Sequence, residues 1–185
     1  MICLEGNVEV LRTSELLIII PAYNESGNIE KTIKMIEEHT PEFDYVIIND
    51  CSTDNTLEIC RRNQFNVIDL PINLGIGGAV QTGYQYAVRH SYQYAVQVDG
   101  DGQHNPEFIK KMLEVLQERQ VNMVIGSRFI ENQGFQSSFL RRIGITFFEK
   151  LIKVLTGQKV TDPTSGLRVA DRKVIEEFAK QYPSD

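Results

Sequence analysis

The chain has 185 residues, 42% hydrophobic and 24% charged, the size and composition of one ordinary globular domain with its own core. A formal net charge of −6 argues against a general affinity for nucleic acid, although a local basic stretch can still meet an anionic ligand. Three cysteines (Cys3, Cys51 and Cys60), with no C-x-x-C pair, point to neither a disulfide framework nor a zinc site and fit a reducing cytoplasm.

Residues 1–15 lack the long apolar core of a signal peptide and read as an N-terminal extension to a single domain over 16–185. No apolar run approaches the roughly 18–20 residues of a membrane span. The expectation is a soluble or peripheral segment, in the cytoplasm or at the cytoplasmic face of a membrane. Residues 181–185 carry no helix stop, so the chain is expected to be a fragment.

Short apolar runs alternate with helix-period stretches, the pattern of an α/β sheet wrapped by helices. Residues 16–20 (LLIII) are a continuous β-branched run, expected to be a strand buried on both faces and ending at Pro21. Ile29, Ile33 and Ile36 follow at helical spacing. Val46-Ile47-Ile48 is a second strand, leading to a helix that begins near Thr53 or Asp54, either a capping residue. Residues 66–70 read as a third strand. Gly75-Ile76-Gly77-Gly78 then leads into a helix with Val80, Tyr84, Ala87 and Val88 on one face. Residues 94–98 (YAVQV) are a fourth strand, running straight into Asp99-Gly100-Asp101-Gly102. Asn105 as cap and Pro106 as first residue start a helix whose buried face is Ile109, Leu113 and Leu116. Residues 121–125 close the series as a fifth strand, with Gly126-Ser127-Arg128 at its carboxyl end. The polar, glycine-containing clusters therefore fall after strands, on the sheet edge where open α/β sheets bind ligands.

The sharpest of these clusters is Asp99-Gly100-Asp101-Gly102-Gln103-His104. Two carboxylates one residue apart past a buried strand repel each other unless a cation joins them. A hard divalent ion removes that repulsion and grips a diphosphate, with Gln103 adding a neutral oxygen. The glycines allow a tight turn and close approach of a ligand. A plain polar turn is the alternative, since D-G is a common turn pair. In Pro21-Ala22-Tyr23-Asn24-Glu25, Tyr23 offers a flat ring for a base and Glu25 an acceptor; a helix-start turn explains the stretch equally well. In Asn49-Asp50-Cys51-Ser52-Thr53-Asp54, Asp50 is placed to accept from a base N–H or a ribose hydroxyl, and Asp54 reads as a cap or dipole partner. Asn73-Leu74-Gly75-Ile76-Gly77-Gly78 is not a G-x-G-x-x-G after the first strand, so a dinucleotide fingerprint is rejected.

Taken in order, these stretches resemble the family 2 glycosyltransferases of the GT-A fold, which has a Rossmann-like, mostly parallel sheet. The resemblance is closest to the branch of dolichol-phosphate mannosyltransferase and bacterial polyprenyl-phosphate glycosyltransferases. It rests on P-x-Y-N-E over 21–25, D-x-S-x-D over 50–54, N-x-G-x-G-x-A over 73–79, D-x-D-x-Q-H over 99–104, G-[ST]-R over 126–128 and D-x-x-S/T-G-x-R over 162–168. It implies that Pro21, Tyr23, Glu25 and Asp50 hold the nucleoside, with Asp99 and Gly100 at the donor. Asp99, Asp101 and Gln103 would hold Mg2+ or Mn2+ on the diphosphate, Arg128 would face phosphate or sugar, and Asp162 would lie near the acceptor. A C-terminal acceptor-side or membrane-associating part is then expected to be missing.

The implied reaction is inverting transfer from a UDP- or GDP-sugar to a polyprenyl phosphate, within cell-envelope biogenesis. Transfer to a sugar hydroxyl in a surface glycan and a non-catalytic nucleotide-sugar-binding module are the alternatives. A phosphate acceptor with a second pKa near 6 is already largely dianionic at neutral pH and needs no strong base. Asp162 is the base candidate placed by motif, and a structural role in the Thr164-Ser165-Gly166 turn stands beside it. Residues 139–159 carry an apolar stripe of Ile143, Phe147, Leu151 and Val154, with Arg141, Arg142, Lys150, Lys153 and Lys159 around it. Such a helix suits an anionic membrane surface, an ordinary docking face or a dimer contact; oligomeric state stays open. The absence of tryptophan disfavours the processive synthases with their Q-x-x-R-W signature.

Overall fold

The computed structural model describes residues 14–100, 106–126 and 167–182. Elements run β1 (Leu16–Ala22), α1 (Ile29–His39), β2 (Asp44–Asn49), α2 (Thr56–Arg62), β3 (Val67–Asp69), α3 (Gly75–Arg89), β4 (Tyr94–Gln97), α4 (Glu107–Arg119), β5 (Met123–Ile125), β6 (Arg168–Asp171) and α5 (Arg172–Lys180). The sheet order is β3-β2-β1-β4-β6-β5. Strands β1 to β4 pair in parallel, and β6 lies antiparallel to both β4 and β5.

All seven residues of β1 are buried, as its continuous apolar run requires of a central strand. Its alternation divides the core. Leu16, Ile18, Ile20 and Ala22 join Ile29, Ile33 and Ile36 of α1, Cys60 of α2, and Ile109 and Leu116 of α4. Leu17 and Ile19 join Val80, Tyr84 and Ala87 of α3 and Ile175 of α5. Each fully buried isoleucine or leucine contributes about 1.5–3 kcal/mol, so one strand anchors both layers.

The first strand does not stop at Pro21. It runs on to Ala22, with Pro21 opposite Ile48 and Ala22 opposite Asn49. Val98 N donates to Ile19 O on the β4 side, while Asp50 N donates to Ala22 O on the β2 side. Pro21, two residues after Ile19, thus faces the side where pairing with β4 has ended, and its missing N–H costs no ladder bond.

Other boundaries also shift. Helix α2 starts at Thr56, not at Thr53 or Asp54. Pro106 is the cap position of α4 and not its first residue; Asn105 lies outside the described residues. The glycines 75, 77 and 78 belong to the first turns of α3 itself. Strand β6 and helix α5 have no counterpart in the elements expected from sequence. Asp171 makes the transition between them, its Oδ1 accepting from Val174 N at 3.0 Å while its backbone N–H donates to Asn122 O of the segment before β5.

Candidate active site

The chain steps from β1 to β2 to β3 in one direction, then crosses by α3 to β4 on the other side of β1. The carboxyl ends of β1 and β4 therefore flank a topological switch point, the crevice where doubly wound sheets bind ligands. A cleft of about 350 Å³ lies there, lined by Pro21, Tyr23, Glu25, Asp50, Asp99 and Gly100 together with Ala22, Asn73, Gly75, Ile76 and Ala79.

Six donor-site residues expected from sequence thus share one cleft. Asp101, Gln103, Arg128 and Asp162, and the stretch 139–159, lie outside the described residues. The lining from Asn73 and the first turns of α3 (Gly75, Ile76, Ala79) was not assigned a site role from sequence. The signal was there, in a glycine-containing stretch that follows a strand at the carboxyl edge.

Asp50 is fixed by three hydrogen bonds. Its N–H donates to Ala22 O at 2.9 Å, its carbonyl accepts from Asn73 Nδ2 at 3.1 Å, and its Oδ1 accepts from Leu74 N at 2.7 Å. It therefore ties the ends of β1 and β2 to the start of α3. Gly100 is held from the other side, its carbonyl accepting from Thr32 Oγ1 of α1 at 3.0 Å. A Cβ at this glycine would lie 3.2 Å from Pro21 O and 3.6 Å from Glu25 Cγ, so a side chain would press the Asp99-Gly100 turn away from the β1 loop. Asp99 is half-buried, and Gln97 Nε2 reaches its Oδ1 at 3.5 Å while Tyr182 OH donates to Gln97 Oε1 at 3.3 Å.

The loops after β1 and β2 are stitched to each other. Asn24, in the left-handed conformation at φ 58°, uses its Oδ1 to accept from Thr53 N at 2.8 Å, and its own N–H donates to Ser52 Oγ at 3.0 Å. Glu25 N donates to Thr56 Oγ1 at 2.8 Å. Asp54 Oδ2 accepts from Ser26 N at 3.1 Å, and its Oδ1 accepts from both N and Oγ1 of Thr56. Burial alone would push the Asp54 carboxyl up; the hydrogen bonds from Thr56 and Ser26 outweigh it and hold the group down at about 2. Asp54 stands one residue before the cap position, Asn55, yet takes the first N–H of α2, and it adds a cross-loop bond that spacing does not reveal.

Glu25, Asp50 and Asp99 make the lining acidic, with no lysine or arginine among the described lining residues. Such a lining disfavours an anionic ligand unless a cation accompanies it. Among the described residues no three His, Cys, Asp or Glu side chains come together as a metal site, and the carboxylate of Asp99 is part of the cleft lining. That hard oxygen donor beside an open cleft fits Mg2+ or Mn2+ in ligand type.

Residues 17–179 match the model of glycosyl transferase family 2, and the chain belongs to that family. The fold is its GT-A fold. Over 184 residues the chain is 29% identical to the UDP-N-acetylglucosamine–dolichyl-phosphate N-acetylglucosaminyltransferase of Methanococcus voltae, covering 90% of this chain and 73% of that one. Over 181 residues it is 26% identical to the polyprenol monophosphomannose synthase of Mycolicibacterium smegmatis, covering 94% and 68%. A mannosyltransferase of Pyrobaculum calidifontis in complex with GDP-Man and Mn2+ superposes with a TM-score of 0.65 at 18% identity, covering 92% of this chain. The chain spans 48% of that structure's length. No helix among the described residues is long and apolar enough to cross a membrane.

Proposed function

We propose that this chain is the donor-binding catalytic domain of an enzyme that transfers a sugar from a nucleoside diphosphate to a polyprenyl phosphate with inversion. The observation that carries the donor half is the single cleft at the β1/β4 switch point, which gathers Pro21, Tyr23, Glu25, Asp50, Asp99 and Gly100 from three loops. Tyr23 is 50% exposed and offers its ring to a base, while Asp99 lies at the far side of the cleft from the loop after β2 in sheet order. The acceptor half is supported by the names of the Methanococcus and Mycolicibacterium relatives, both enzymes of polyprenyl-type lipid phosphates.

Asp99, with Asp101 and Gln103, would hold Mg2+ or Mn2+, which offsets the charge that grows on the departing diphosphate. Arg128 would add a fixed cation at the phosphate or sugar. Tyr23 and Asp50 orient the nucleoside, and Thr32 holds the Gly100 carbonyl so that the turn carrying Asp99 keeps its place. The acceptor phosphate attacks as its dianion, so Asp162 need not be a strong base.

The test is a transfer assay with radiolabelled UDP- and GDP-sugars, polyprenyl phosphate and Mn2+. Label that passes into organic solvent, and fails to do so with EDTA, is the expected result. Label that stays water-soluble on an oligosaccharide acceptor would overturn the lipid-phosphate assignment.

A further inference from the structure

Thr32 stands on the buried face of α1 with Ile29, Ile33 and Ile36, and is itself only 1% exposed. A fourth aliphatic side chain would pack there at least as well, and a buried hydroxyl is unfavourable unless it finds a partner. Two carbonyl oxygens lie within its reach: Asn28 O at 3.1 Å, one turn back on α1, and Gly100 O at 3.0 Å, across 68 residues of chain. The hydroxyl has one hydrogen to give. Asn28 O already accepts the backbone N–H of Thr32 at 2.9 Å, in ordinary helical pairing. Gly100 is buried, and its carbonyl has no other donor among the described residues. Leaving that carbonyl unpaired is the costlier alternative, so the hydrogen belongs to Gly100.

We infer that Thr32 is a positioning residue for the metal carboxylate: through the Gly100 carbonyl, α1 sets the affinity of the Asp99 turn for a divalent ion. The inference rests on the donor site proposed above and extends it from where the turn lies to how tightly the ion is held. The pairing of β4 with β1 ends with Val98 N donating to Ile19 O, and two residues further on the backbone at Gly100 is held by α1 instead. The β1 loop closes off the other side, where even a Cβ would come to 3.2 Å from Pro21 O. Helix α1 itself starts from the loop that carries Glu25, whose carbonyl accepts from Asn28 N and Ile29 N at 3.0 and 2.9 Å. One helix thereby fixes the Glu25 loop and the Asp99 turn relative to each other. A group that orients a metal ligand raises affinity without touching the ion, here through the backbone of the neighbouring residue.

The experiment is Mn2+ titration of the 185-residue chain followed by electron paramagnetic resonance, with UDP and separately with GDP present. Thr32→Val keeps the shape and deletes the donor, so it should bind Mn2+ about tenfold more weakly than wild type. Thr32→Ala, which brings no methyl up to the carbonyl, should show the same loss and takes the place of valine if that variant does not fold. Thr32→Ser keeps the hydroxyl and should stay within about twofold of wild type. Ile36→Val removes a methyl from the same buried face of α1 but no hydrogen bond, and should leave Mn2+ affinity unchanged. Undiminished affinity in Thr32→Val, or an equal loss in Thr32→Ser or in Ile36→Val, overturns the positioning role and leaves the donor site standing. A wild-type chain that takes up Mn2+ with neither nucleotide overturns the donor site itself.

Discussion

Asp54, in the loop after β2, accepts the backbone N–H of Ser26, in the loop after β1, at 3.1 Å across 28 residues of chain. Both loops frame the cleft, and this bond together with Asn24 to Thr53 sets their spacing. The Asp54 carboxyl sits at about 2 against an ordinary 3.8, so its charged form is favoured in the folded chain. The stabilisation is fully present above the unfolded value, near 3.8, and is lost as pH falls through about 2. Discounted for partial exposure, it amounts to about 1–2 kcal/mol. Asp54→Asn should lose that amount at pH 7, and the gap to wild type should close between about pH 4 and pH 2. Urea midpoints measured against pH for both proteins check this; a gap independent of pH would show that the charge is not what matters.

Gly83 permits α3 to lie directly on β1. A Cβ there would stand 2.2 Å from Cγ2 of Ile19, whose side chain is completely buried. Alanine would gain about 1 kcal/mol of helix propensity. Forcing α3 off a packed central strand costs more, about 2–3 kcal/mol. Gly83→Ala should therefore lower the guanidinium midpoint, and a rise would mean that the strand and helix yield more easily than their burial implies.

Tyr23 is the converse case, a ring at the cleft that the fold does not need. It is 50% exposed, so Tyr23→Ala should change stability by no more than about 0.5 kcal/mol. If the ring carries the base, nucleotide affinity should fall about 3- to 10-fold. Titration calorimetry beside a melting curve separates the two effects.

The architecture was legible where apolar runs are long and uninterrupted. Residues 16–20 read as a strand buried on both faces, and the polar clusters that follow strands put Pro21, Asp50 and Asp99 on one edge of the sheet. Proline reads as a stop, whereas Pro21 lies past the point where β1 pairs with β4, so its missing N–H is harmless. Strand β6 escaped because Arg168-Val169-Ala170-Asp171 is four residues long, too short for a period, and its burial comes from neighbours on both sides. The stitching by Asn24 and Asp54 escaped for a different reason: the partners are 28 to 30 residues apart, and no local pattern announces a bond of that kind.

Gln97 connects the end of the chain to the proposed metal carboxylate. It is buried, receives Tyr182 OH at 3.3 Å and extends its amide to Asp99 Oδ1 at 3.5 Å. Groups that orient a ligand carboxylate tune metal affinity without touching the metal. At this length the bond is weak, so Gln97→Met should reduce Mn2+ affinity in the presence of nucleotide only several-fold. Manganese titration followed by electron paramagnetic resonance reads this directly. Unchanged affinity would make Gln97 a packing residue alone.

Tyr84 tests the polar cost of the second core layer. Its ring is fully buried against Phe178 and Tyr182, with centroids at 5.2 and 5.7 Å. Its hydroxyl has no hydrogen-bond partner among the described residues, and burial pushes its pKa up, since an ionised phenol there would be unsolvated. A buried hydroxyl without a partner loses the hydrogen bonds it made to water and gains none in return. Tyr84→Phe deletes that oxygen, keeps both ring contacts and strands no donor on a neighbour. The variant should be as stable as wild type or more stable, by up to about 1 kcal/mol. A loss of about 1 kcal/mol or more in its denaturation midpoint would reveal a hydrogen-bond partner for the hydroxyl.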